Sequence, residues 1–233
     1  MSTRATRGGG RLDHGWRYRG VCLAGLVLAL LAGSCSDDNS PTAPPLLTPT
    51  ALVALGWTHF EQGSAGAARG EFEAALAQAP TMGSAHLGRA WCLLVLAGAR
   101  EDYQAAADAF ASAIAHQETS AAAYAGRAAS RLALGDGELA GAVADAGLVL
   151  AREPSFNFAH DSSFDSADVR RLLAGAEAGR GDYAAALAGL APDYPLPVSP
   201  DDPGTWLVGG VQHASFAGAA LAWLQEVDKA AGP

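Results

Sequence analysis

Residues 51–80 read ALVALGWTHFEQGSAGAARGEFEAALAQAP. At a helical period the stretch is two short amphipathic helices joined at Gly63. Leu52, Leu55 and Gly56 lie on one face of the first helix, and Ala68, Phe72 and Ala75 on one face of the second. The small residues let the helices approach closely, and Phe72 fills the space that remains. Neither helix can bury its apolar face alone, so the pair must stack on others of its kind.

The pattern returns three times. The small residue of the first helix recurs at Gly56, Ala90, Ala128 and Ala174, and the alanine opening the second at Ala68, Ala106, Ala140 and Ala186. Two of these steps are 34 residues long, and the second unit carries four extra residues before Asp102. The tail Ala68-x3-Phe72-x2-Ala75 is echoed by Ala106-x3-Phe110-x2-Ala113. Pro80 and Pro154 end their units, since proline cannot continue a helix.

A 34-residue helix–turn–helix period of this kind resembles the tetratricopeptide repeat (TPR). The resemblance covers residues 49–191 and departs from the family at Leu52, where tryptophan is common, and at His59, where tyrosine is. It implies an all-α fold, a helical solenoid of about four TPR-like units. The apolar stripe Phe216, Ala220, Trp223, Leu224 and Val227 then reads as a helix capping the last unit, within residues 214–233.

Upstream, residues 1–19 carry five arginines and one aspartate, and residues 20–33 (GVCLAGLVLALLAG) are uninterruptedly apolar. A basic start and an apolar run of this length read as an export signal, residues 1–34. Its end, Leu31-Ala32-Gly33-Ser34-Cys35, resembles the lipobox of bacterial lipoproteins, with Ala32 where leucine is usual. That resemblance implies acylation of Cys35. The same small residues also suit the ordinary signal peptidase, which would give a periplasmic or secreted protein. Residues 35–48 then form the lipidated cysteine and a proline-rich tether. By resemblance to enterobacterial lipoproteins, Ser36 after Cys35 implies an outer-membrane address facing the periplasm. Cys22 leaves with the signal, so Cys92 stands alone in the mature chain as an inert buried thiol.

The chain has a net charge of −9. Without the signal about ten basic and 23 acidic residues remain, near −13. That excludes nucleic acid, which needs basic surface, and leaves the acyl chains of Cys35 as the link to a membrane. No metalloprotease, Cys-x-x-Cys, nucleophile-elbow or phosphate-loop motif is present, and the six histidines lack metal-ligand spacing. No enzyme activity, cofactor or metal is expected. Arg89 and Arg127, at the same place in successive units, read as partners of Asp108 and Asp145.

Two stretches interrupt the repeat. Residues 155–168 hold three phenylalanines beside His160-Asp161, and residues 192–213 form a proline-rich loop with Trp206. Loops this long are commonly functional, and their aromatics speak against disorder. The phenylalanines either bind a ligand or pin the loop onto the solenoid.

The resulting expectation is an exported, lipid-anchored scaffold that binds a protein or peptide at the cell envelope. The binding wall is expected on the concave side, which the first helices of the units line. There Trp57, Phe60, Leu87, Trp91, Leu94 and Leu132 would form an open apolar groove. A rival reading is a secreted binder of a small molecule or glycan, in which the loops at 155–168 and 191–212 close a pocket with Phe156, Phe158, His160, Asp161 and Trp206. A third is a hydrolase built on His160 and Asp161 with Ser162 or Ser163 as nucleophile.

Overall fold

In the computed structural model, residues 47–194 and 198–231 are described. The signal, Cys35 and most of the tether lie outside them. Four helix pairs follow one another: α1 (Pro49–Glu61) with α2 (Ala65–Gln78), α3 (Gly83–Leu96) with α4 (Arg100–Ala115), α5 (Ala121–Leu134) with α6 (Leu139–Arg152), and α7 (Ser166–Gly179) with α8 (Tyr183–Leu190). A ninth helix, α9 (Phe216–Ala231), packs on α8. Each helix packs on its neighbours in sequence, and α1, α3, α5 and α7 also touch in order. This is the all-α solenoid of four TPR-like units closed by a C-terminal helix.

Local chemistry sets the helix ends. The Thr48 hydroxyl accepts from the Ala51 amide at 3.2 Å, with Pro49 at the first position of α1. After α1 the chain turns through Gly63 at φ 75°, a left-handed value that costs glycine little. The four extra residues of unit two lead into a cap. The Asp102 carboxylate accepts from the amides of Gly98 (3.0 Å) and Ala99 (2.9 Å), and these bonds hold it below the usual carboxylate range. At α7, Asp165 and Asp168 form a reciprocal capping box.

In the first two units the phenylalanine of the second helix is the wedge of the stack. Phe72 is fully buried between its own first helix and the next: an added methyl at Gly56 would lie 2.9 Å from its ring, and one at Gly88 2.2 Å. Phe110 repeats this against Gly126, at 2.1 Å. Unit three has Ala144 at that place, and its second helix is fastened to its first by charge. Arg127 grips Asp145 through Nε (2.8 Å) and Nη2 (2.7 Å), and Arg131 reaches the same carboxylate at 2.7 Å. That pairing raises the pKa of Arg127 further.

The Arg89–Asp108 pairing expected in unit two does not form. Asp108 is exposed and accepts from Gln104 on its own helix, and the buried Nε of Arg89 has no partner among the described residues. The position matching Asp145, one residue past the wedge, is Ala111. No acid stands where Arg89 would need one.

α9 buries Ala219, Ala220, Trp223 and Val227 in a core shared with Ala186, Leu187 and Leu190 of α8. The proline-rich segment before it packs here too. Val198 and Val208 enter that same core, and the Trp206 indole donates to the Ser199 carbonyl at 2.8 Å. Strands β3 (Leu207–Val208) and β4 (Val211–Gln212) pair across Gly209 and Gly210, both at positive φ.

Candidate functional site

The wall of first helices is not an open groove. The insertion between units three and four forms a second hairpin, β1 (Asn157–Phe158) and β2 (Asp161–Asp165), antiparallel and with a register shift between Asn157 and Phe158. It lies back across α7, α5 and α3 to reach α1. The Phe158 ring stacks on Trp91 at 4.2 Å and 20°, and meets Trp57 and Phe60 edge-on at 6.0 and 6.2 Å. Phe164 meets Trp91 edge-on at 5.4 Å and Phe156 at 6.0 Å. At the tip, His160 stacks on Trp57 at 3.8 Å and 4°.

This arrangement corrects the expectation of an exposed strip. Trp57 is 9% exposed, Trp91 1%, and Phe60 and Leu87 are equally buried. The rotation read from the sequence holds, because these residues do face the wall; the wall is occupied. The insertion that binds there is the chain's own, so the phenylalanines pin the loop onto the solenoid. Large apolar and aromatic side chains on this wall are stable only out of water; the hairpin supplies the cover.

Leu94 and Leu132 stay half-buried, and they line what the hairpin leaves uncovered. Beside Phe164 is an apolar pocket of about 50 Å³, bounded by Leu94, Val95 and Ala97 of α3 and its end, Tyr103 of α4, Ala129, Leu132 and Ala133 of α5, and Leu172 of α7, with Trp91 beneath. Tyr103 and Leu172 escaped the sequence reading. Their signal is weak, since each stands on a helix whose sequence points first to its repeat contacts.

The two loops do not meet at this pocket. No residue of 191–212 lines it, and Trp206 packs in the separate core of unit four and α9. His160 and Asp161 do not assemble a hydrolytic site either. The His160 Nδ1–H donates to Glu61 Oε1 at 2.8 Å, while the Ser163 hydroxyl donates to Asp161 Oδ1 at 2.6 Å. Ser162 is exposed, and among the described residues no hydrogen bond joins His160 to either serine.

Among the described residues no cluster of His, Cys, Asp or Glu is placed to hold a metal, and no helix is long and apolar enough to cross a membrane. Cys92 is buried, and burial pushes its thiol up to about 12.

No family model and no curated protein matches the chain. Among solved structures it is similar to a thermophilic TPR protein from Thermus thermophilus, at 21% identity and a TM-score of 0.47, over 74% of this chain and 81% of that one.

Proposed function

We propose that this chain is an exported, lipid-anchored scaffold that holds a protein or peptide partner at the bacterial cell envelope. The TPR-like architecture is that of a protein-interaction scaffold, and the basic start, apolar run and Cys35 support export and anchoring. The observation that carries the reading is the apolar pocket at Leu94, Leu132 and Leu172, which remains after the hairpin has covered the rest of the wall.

Magnitudes decide how a partner engages. Phe156, Phe158 and Phe164 are almost fully buried, and burying each contributes about 2–3 kcal/mol by area. A peptide of micromolar affinity has about 8 kcal/mol in all. Displacing the hairpin would consume that entirely, so the partner binds on top of the filled groove. It inserts one apolar side chain into the pocket.

The same volume disfavours the rival small-molecule reading. Ligand pockets run to about 300–1,000 Å³, and about 50 Å³ holds part of a side chain and no sugar ring.

A photo-crosslinking residue at Leu132, with one at exposed Gln104 as control, tests the reading in cells of the native host. A discrete adduct from position 132 alone, in the membrane fraction and lost to the soluble fraction in Cys35→Ala, is expected. Equal adducts from both positions, or none, would contradict it; absence of fatty-acid label on Cys35 would contradict the anchor.

A further inference from the structure

We propose that the face of Trp57 and the carboxylate of Glu61 form a cation-accepting subsite at the rim of the groove, which the chain's own His160 occupies until a basic side chain of the partner replaces it. The inference rests on the partner-binding reading above and names the chemistry of a second contact.

The two residues are one helical turn apart on α1, so they project from the same face. Trp57 is held by three aromatic edges: Phe60 at 5.5 Å, Phe72 at 5.0 Å and Phe158 at 6.0 Å. The fourth ring contact is parallel: a planar ring carrying an N–H lies flat on the indole. That N–H points at the Glu61 carboxylate, with 2.8 Å between the heavy atoms. An aromatic face beside a carboxylate is the environment that attracts a guanidinium or an ammonium group. The native occupant marks the site as built for a flat or cationic nitrogen group.

Exchange is confined to the tip. The His160 side chain is 29% exposed and Glu61 51%, and the flanking Ala159 is exposed, whereas Phe156, Phe158 and Phe164 are in the core. The tip can lift while the body of the hairpin stays. Charge complementarity selects the incoming group: the chain is net −9, so a partner carrying arginine or lysine is drawn to it.

The test uses full-length mature protein and N-acetyl-arginine amide, with uncharged N-acetyl-citrulline amide as control, and follows the Trp57 indole N–H by NMR, assigned with Trp57→Phe. In His160→Ala the arginine probe should shift that signal saturably, at least tenfold more tightly than in the unmutated protein, where His160 competes. Glu61→Gln added to His160→Ala should abolish the response. No saturable shift in His160→Ala, or an equal response to citrulline, or persistence without Glu61, would overturn the subsite.

Should His160→Ala loosen the hairpin, His160→Lys decides. It should melt at the wild-type temperature in a Glu61-dependent manner, and melting together with His160→Ala would overturn the proposal. The probe reads the subsite without the partner, so its failure leaves the crosslink at Leu132 standing, and failure of the crosslink leaves the probe result standing.

Discussion

The Phe158 ring lies on the indole of Trp91, centroids 4.2 Å apart and planes 20° from parallel. It ties an insertion that follows the third repeat to the first helix of the second. Around this contact Trp57, Phe60, Phe72, Phe110 and Phe164 meet edge to face. The aromatic wall and the hairpin are therefore one core, and its cover comes from within the chain.

The wedge makes two glycines respond in opposite directions. Gly88→Ala drives a methyl to 2.2 Å from the buried Phe72 ring and should cost about 1–3 kcal/mol or more. Gly70→Ala, in the exposed middle of α2 with nothing within 4 Å, should gain about 0.5–1 kcal/mol. Urea denaturation of both variants checks the pair; equal effects would show that the Phe72 contact is loose.

Asp145 neutralises two guanidinium groups. Asp145→Ala leaves Arg127 without an acid and Arg131 with Glu138 at 3.3 Å, their side chains 17% and 25% exposed. The loss should be about 2–3 kcal/mol, below that of a fully buried pair because water reaches both arginines. Arg89→Ala, with no carboxylate to lose, should change stability far less. Parallel denaturation curves would settle the contrast.

Much of this was legible in the chain itself. The 34-residue step, the Phe72 and Phe110 wedges and the α9 stripe are local patterns of small and large residues, and each specifies its own packing. The rotation of Trp57 and Trp91 toward the wall was legible for the same reason. What covers the wall was not, because nothing in Phe156-Asn157-Phe158 says which way a long insertion folds. The arginine pairing failed in unit two for a related reason: the position that matches Asp145 is Ala111, and Asp108, one turn earlier, is exposed and pairs with Gln104 instead.

His86 supplies a pH dependence. Burial lowers its pKa from the ordinary 6.5, with Arg89 and His116 adding to the effect against the bond to the Pro80 carbonyl. A base whose folded pKa lies below its unfolded one stabilises the fold above the unfolded value. That contribution is lost as pH falls through 6.5 toward the folded value. The melting temperature should therefore drop less between pH 7.5 and 5.5 in His86→Tyr, which borrows the residue of the matching position, Tyr124. An identical drop in both proteins would exclude His86.

Cys92 should resist a thiol reagent at pH 8 in the folded protein, since its thiol is buried and pushed up to about 12. Labelling should follow unfolding, measured by mass shift across a urea series. Rapid labelling of the native protein would place Cys92 outside the core.

The most direct measurement of the filled groove is a double-mutant cycle on Trp91→Leu and Phe158→Leu in urea. Both side chains are in the core, so each change should destabilise, and their direct stacking should appear as a coupling of about 0.5–1.5 kcal/mol. Two losses that add within about 0.3 kcal/mol would mean that the rings do not touch in solution, and that the wall of first helices stands open.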